Sequence, residues 1–277
     1  MNMQNFYTQI DSFFASKDFQ GAEQFMKATL AQAEDEQDPG AMITVCNELG
    51  GFYRAFSRYQ EGIPLYQKAL HCLAQIKMEG SDAHATTLLN FATTLAIVGN
   101  DKEALEAYHR AAEIFSSPSY AKDYRLATLY NNMSSLYQNL QQLDEAKEYL
   151  LKAMNILQQL SESEIEIAIT WSNLAGVYLA MGNDYLEDAR KAAEQAVKLF
   201  NETSGDKDVH YAAAVTVLGD VCHREKKYHE AASLFQKAME LTARDYGKET
   251  LGYAILCENL SQTLTAIASS IKERIKA

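Results

Sequence analysis

A ladder of small residues recurs along the chain at nearly constant intervals. The steps between its members are 40, 42, 42, 43 and 42 residues. Four residues after most members comes a large apolar residue, and seven after comes another small one, so these positions share one helical face. The leading positions are Ala22, Gly62, Ala104, Ala146, Ala189 and Ala231. A period of this kind predicts a stack of equivalent units rather than one globular core.

A second ladder precedes each of the last five members of the first. Its units read large-small-x-x-large, as in Leu49-Gly50-x-x-Tyr53, and Leu260-Ser261-x-x-Leu264 continues it. Each unit is therefore predicted to be two helices that cross closely, because a larger side chain at the crossing would force the helix axes apart. A helix pair with an apolar face left over needs a neighbouring pair to stack on it.

Composition supports an all-helical chain and excludes several classes of function. Among 277 residues, 47% are hydrophobic and only 3 are proline, which is too few breakers for an all-β protein. The net charge of −12 argues against a nucleic-acid partner. No apolar run suits a membrane span and the N-terminus lacks a signal-peptide pattern, so we expect a cytoplasmic protein without a membrane partner. We expect Cys46, Cys72, Cys222 and Cys257 to be buried, reduced thiols.

The two ladders resemble the signature of the tetratricopeptide repeat family. The best matches are Trp171-x-x-Leu174-Ala175-x-x-Tyr178 and Ala231-x3-Phe235. The period near 42 and the stretches "LYNNMSSLY" and "TWSNLAGVY" are similar to the kinesin-light-chain subtype. The resemblance implies an all-α fold of about thirteen helices, a right-handed superhelix (α-α solenoid) of about six repeats plus a C-terminal capping helix. The implied repeats are 3–40, 43–80, 85–117, 127–160, 168–203 and 212–246, with the capping helix at 250–275.

Three departures from the repeat pattern carry expectations of their own. Pro64 falls inside a second helix, so we expect a kink or a late start there. Ala189 follows Leu174 by 15 residues, where the other repeats have 13, which predicts a wider turn. The last segment has a first-helix pattern with no second helix after it, and we interpret it as a solvating cap.

Asparagines recur beside the core positions of the first helices. Asn132 immediately precedes core residue Met133, and Asn47 and Asn131 sit one place earlier in their repeats. The same offset as Asn132 holds for Asn90, Asn173 and Asn259. The resemblance implies that this row faces a concave groove, as in the asparagine ladder of the kinesin-light-chain subtype. Glu48 and Val217 interrupt the row.

Two interpretations of the asparagine row remain open. A side-chain amide offers both a donor and an acceptor, so the row can pair with the backbone of an extended peptide without reading its sequence. Alternatively, the amides bond neighbouring helices and only stiffen the solenoid. The predicted peptide-binding set is Asn47, Arg54, Asn90, Asn131, Asn132, Ser135, Asn139, Asn173, Asp220, Arg224 and Asn259.

No motif in the sequence indicates catalysis, a metal or a cofactor. The six histidines form no zinc pattern, and neither a phosphate loop nor a G-x-S-x-G elbow occurs. The sequence therefore predicts a non-catalytic scaffold that binds a protein or peptide ligand in its groove. The alternative is a peptide-responsive regulatory sensor that acts on an output partner, and the extent of the repeats favours the scaffold. Homo-oligomerisation through terminal repeats is a further expectation.

Overall fold

The computed structural model describes residues 3–117 and 124–276. That part of the chain contains thirteen α-helices and no strand, which confirms the all-α prediction. The helices are α1 (Met3–Ala15), α2 (Phe19–Asp35), α3 (Pro39–Ala55), α4 (Tyr59–Gln75), α5 (Asp82–Ile97), α6 (Asp101–Phe115), α7 (Tyr124–Asn139), α8 (Leu143–Leu157), α9 (Glu164–Met181), α10 (Leu186–Glu202), α11 (Tyr211–Arg224), α12 (Tyr228–Asp245) and α13 (Leu251–Lys276). Odd-numbered helices are the first helices of the repeats, and even-numbered helices are the second.

The helices pack in the order in which the chain makes them. First helices lie along the second helices of their own repeats, as α3 does along α4 and α11 along α12. Second helices also contact the next first helix, as α4 contacts α5 and α12 contacts α13. The contacts group the chain into two compact units, residues 1–129 and 130–277.

The turn inside a repeat has one geometry that recurs along the chain. Five of these turns have three residues, and the middle residue of each has a positive φ. These middle residues are Lys17, Ser57, Gly99, Gln141 and Lys226, with φ between 58° and 79°. Single residues in this left-handed region commonly end helices.

The residue after each left-handed position closes the turn with a backbone hydrogen bond. The Arg58 N–H donates to the Tyr53 carbonyl at 2.7 Å, and the Lys227 N–H donates to the Cys222 carbonyl at 2.9 Å. Because this bond fixes how each first helix leads into its second, equivalent residues of different repeats occupy equivalent places.

The predicted wider turn is confirmed and the expectation for Pro64 is wrong in part. Between α9 and α10, Gly182 has a φ of 110° and a 3-10 turn follows at Asn183–Tyr185. Helix α4 begins at Tyr59, so Pro64 does not delay its start. Pro64 and Gln60 are both exposed, so water can satisfy the Gln60 carbonyl that loses its helical partner.

The small-residue ladder marks the closest contacts between paired helices. All six leading positions are buried, and the five alanines among them have no exposed surface. On the facing first helices, a Cβ at Gly50 would lie 2.6 Å from Cζ of Tyr66, and one at Gly219 would lie 2.7 Å from Cε1 of Phe235. In these two repeats the large residue of the second helix therefore fills the space above a small residue of the first.

Two expectations about the surface need correction. Cys46, Cys72 and Cys222 are buried and free as predicted, but Cys257 is exposed. The interpretation of the last segment as a solvating cap is wrong in one respect, since α13 presents apolar side chains such as Leu264, which is 50% exposed.

Adjacent glycines of α3 give a matched test of the close crossing. Gly50→Ala should lower the free energy of unfolding by about 1–3 kcal/mol, because its Cβ meets the Tyr66 ring. Gly51→Ala should raise that free energy by about 0.5–1 kcal/mol, because nothing lies within 4 Å of its Cβ and alanine favours the helix. Urea unfolding of both variants measures the difference. Equal effects of the two substitutions would contradict the packing of Tyr66 on Gly50.

Candidate functional site

An amide bridge joins the first helices α3 and α5. Asn47 Nδ2 donates to Thr87 Oγ1 and to the Ile43 carbonyl, both at 2.9 Å. Asn90 Nδ2 lies 3.5 Å from Asn47 Oδ1. Thr87 has no exposed surface, and its hydroxyl donates to the Ala83 carbonyl at 2.7 Å, which leaves its oxygen to accept from Asn47. Two asparagines and one threonine thus link successive repeats.

The same bridge recurs between α7 and α9. Asn131 Nδ2 donates to Thr170 Oγ1 at 3.0 Å, and Asn173 Nδ2 donates to Asn131 Oδ1 at 2.9 Å. Thr170 is fully buried and donates to the Glu166 carbonyl at 2.8 Å. The repeat of the whole arrangement shows that these amides bond neighbouring helices, as one of the two interpretations predicts.

The threonines of the bridges were not among the predicted site residues. Both stand three residues before a row asparagine, in Thr87-x-x-Asn90 and Thr170-x-x-Asn173. This shared spacing puts the hydroxyl and the amide on one helical face and is the sequence signal for the bridge.

At the end of the row, α11 and α13 are joined by a different polar pair. Asn259 Nδ2 donates to Asp220 Oδ1 at 3.2 Å. Burial raises the pKa of Asp220 to about 6, and the positive charge of Arg224 acts against this shift. Arg224 is itself engaged, because its Nη1 donates to the Leu179 carbonyl at 2.6 Å. One residue away, His223 Nδ1 lies 2.8 Å from Thr263 Oγ1.

Glu48 replaces asparagine where the row passes through α3. The side chain is half-buried, and burial raises the pKa of its carboxyl, while a hydrogen bond from Tyr7 of α1 favours the ionised form. An acid with a tyrosine donor thus takes the place of the amide at this position.

The remaining predicted residues are more exposed or stand apart from the bridges. Arg54 is half-buried on α3. Burial of Tyr108 raises the pKa of its hydroxyl to about 12, and the positive charge of Arg54 acts against this shift. Ser135 is exposed, and its hydroxyl donates to the Asn131 carbonyl at 3.3 Å. Asn139 is the exposed last residue of α7, and Asn132 is half-buried on the same helix.

An apolar pocket lies where the row loses its asparagine. Val217, the residue that breaks the row, lines a cavity of about 520 Å³ between α11, the end of α12 and the start of α13. Ala213, Thr216, Tyr246 and Ile255 also line it. We call the bridged residues Asn131, Asn173, Asp220 and Asn259 the polar wall. The pocket adjoins this wall at Val217, one helical turn from Asp220.

Within residues 3–117 and 124–276, no three His, Cys, Asp or Glu side chains are grouped as metal ligands. No helix of the same ranges combines the length and the apolar character needed to cross a bilayer.

The stacked helix pairs and their ladders match a known repeat family. The profile of the tetratricopeptide repeat matches residues 40–117, 125–202 and 166–244. The chain belongs to the tetratricopeptide repeat family. This repeat fold is a protein-interaction scaffold.

Individual relatives agree with the predicted subtype. The chain is 24% identical over 246 residues to Protein KINESIN LIGHT CHAIN-RELATED 2 of Arabidopsis thaliana, covering 88% of the chain and 37% of that protein. The chain thus spans little more than a third of that relative. The crystal structure of BtubC (BKLC) from P. vanneervenii is similar with a TM-score of 0.64 and 26% identity, over 71% of this chain and 78% of that one.

A second group of similar structures shares the fold alone. The apo form of the quorum sensor NprR from B. thuringiensis has a TM-score of 0.66 at 17% identity, over 90% of this chain and 67% of that one. NprR in complex with its cognate peptide NprX has a TM-score of 0.63 at 17% identity, over 99% and 82%.

The bridge between α7 and α9 can be tested with an isosteric change. Thr170→Val removes the acceptor of Asn131 and should lower the free energy of unfolding by about 1 kcal/mol. Thr265→Val is the control, because exposed Thr265 also donates to a carbonyl of its own helix, Ser261 at 2.9 Å, without bridging helices. A double-mutant cycle with Asn131→Ala should show coupling for Thr170 and none for Thr265. Additive effects at Thr170 would contradict the bridge.

Proposed function

We propose that the chain is a non-catalytic, cytoplasmic scaffold that binds an extended peptide segment of a partner protein along the first helices of its second compact unit, residues 130–277. The proposal is based on the hydrogen bonds that the side-chain amides of the bridge asparagines make. Asn90 and Asn173 donate through Nδ2, and among the described residues no donor reaches their Oδ1 atoms. Each half-buried amide thus keeps an acceptor for a ligand N–H while its donor holds the next repeat.

The bridges also prepare these amides for binding. A side chain that is already held in one rotamer loses little conformational entropy when a ligand binds, and this favours affinity. Neighbouring helices lie about 8–10 Å apart and an extended chain advances about 3.3 Å per residue, so one asparagine serves roughly every third peptide residue. Amide contacts of this kind hold the peptide backbone and are indifferent to its sequence.

A preference for particular peptide sequences would come from the pocket beside Val217 and from Asp220, both on α11 in the second unit. The pocket beside Val217 suits one large aliphatic or aromatic side chain of the ligand. Asp220, one turn further along α11, favours an N–H donor or a basic side chain nearby and disfavours an acidic one. The first helices α3, α5, α7, α9 and α11 contain no lysine, so a clamp for a terminal carboxylate is not part of the proposal. The alternative role as a peptide-responsive sensor shares this binding step.

The proposal is tested with peptides selected from a phage-displayed random library on the immobilised wild-type chain. Ala213→Glu places a charge in the pocket from an exposed position, so it should weaken the selected peptide by roughly tenfold or more without unfolding the protein. Asn173→Ala should weaken the peptide roughly 3–10-fold, the value of one hydrogen bond. Isothermal titration calorimetry measures both.

Ala31→Glu provides the matched control, because Ala31 is an exposed alanine of second helix α2. It should leave the affinity unchanged, and circular dichroism should show all three variants folded. Selected peptides that bind Ala213→Glu and Asn173→Ala as tightly as the parent would contradict the proposed site.

A further inference from the structure

Helix α13 carries two apolar stripes on different faces. One, with Leu256 and Thr263, is buried against the preceding repeat. The other faces outward, and we call it the outer stripe. Its members, spaced three or four residues apart, are Cys257, Ser261, Leu264, Ala268, Ile271 and Ile275. Leu264 is 50% exposed and Ile275 is 79% exposed, so the outer stripe presents apolar surface along most of the helix.

The outer stripe has the pattern of small and large residues on which another helix can pack. Ser261 occupies the place that Gly50 and Gly219 occupy in their repeats, where Tyr66 or Phe235 of a second helix covers the small residue. In α13 the same place is exposed, and a groove of about 490 Å³ runs between the stripe and Met239 of α12. Among the described residues no helix packs on the outer stripe.

The order of small and large residues makes the outer stripe complementary to itself. Leu264 stands between the small residues Ser261 and Ala268. When a second copy of α13 lies antiparallel, Leu264 of each copy packs against Ser261 of the other, which reproduces the large-on-small contact within the repeats. A two-fold axis relates the copies, so the contact closes and does not propagate.

Charge favours the same antiparallel arrangement. Exposed Glu258 lies in the N-terminal third of α13, whereas exposed Lys272, Arg274 and Lys276 outnumber Glu273 at its C-terminal end. With Leu264 opposite Ser261, the cationic C-terminal end of each copy lies beside the N-terminal end of the other copy and away from the other's cationic end. A parallel pair would bring like charges together, and the helix dipoles also favour the antiparallel one.

We propose that the chain forms a two-fold homodimer through antiparallel contact of the outer stripes of α13. Asn259, which contributes to the polar wall, lies on α13 about 140° around the helix from Leu264, so the two surfaces are separate. The dimer therefore leaves the candidate peptide site open, and either proposal can fail without the other.

Sedimentation equilibrium over a range of concentrations tests the dimer. The wild-type chain should have twice the monomer mass, and Leu264→Glu should have the monomer mass with an unchanged helical spectrum. The matched control is Leu151→Glu, because Leu151 of α8 is a leucine with 49% exposure outside the stripe, and this variant should remain dimeric. A monomeric wild-type chain, or a dimer that survives Leu264→Glu, would overturn the proposal.

A cross-link tests the register independently of stability. When Leu264 meets Ser261, residue 268 of one copy lies opposite Cys257 of the other. Oxidation of the Ala268→Cys variant should therefore give a disulfide-linked dimer, and addition of Cys257→Ser should abolish it. A cross-link that persists without Cys257 would indicate a parallel pair and refute the antiparallel contact, as would the absence of any cross-link.

Discussion

The close crossing of the two helices in each repeat is the contact on which the rest of the structure depends. A ring of the second helix lies directly over a residue without a side chain, Tyr66 over Gly50 and Phe235 over Gly219. Because five of the six turns inside the repeats also share one geometry, most repeats present the same positions to their neighbours. Row asparagines from successive first helices can then meet, and Asn47 and Asn131 donate to equivalent threonines at 2.9 Å and 3.0 Å.

The two interpretations of the asparagines describe two sides of one amide. The Nδ2 group of Asn173 holds α9 to α7, which accounts for asparagine inside a helix that it does not favour. Its oxygen has no such use among the described residues, and our proposal assigns that oxygen to a peptide. A side chain that already bonds two repeats loses little conformational entropy when it binds a ligand, because its rotamer is already fixed.

The sequence was sufficient for the architecture because periodicity reports which face of a helix is buried. The ladders located the close crossings at Gly50 and Gly219, and the turn signals lie between the helices that the structure shows. Hydrogen-bond partners were harder to predict from the sequence. The repeat period shows on which helical face Thr170 lies, but it does not show that the Thr170 hydroxyl accepts from Asn131. Pro64 was misjudged because its effect depends on whether the freed carbonyl faces water. Cys257 was misjudged because a stripe that is buried in other repeats is open in α13.

The most direct test of the account is the side-chain amide spectrum of the chain during titration with a selected peptide. In ¹H–¹⁵N NMR, the Nδ2 signals of Asn90 and Asn173 should be protected from exchange in the free protein because they are hydrogen-bonded. Addition of the peptide should shift the Asn173 signal together with the backbone signals of Val217 and Asp220. Shifts confined to second helices, with the asparagine signals unmoved at saturation, would contradict a binding wall built from the first helices.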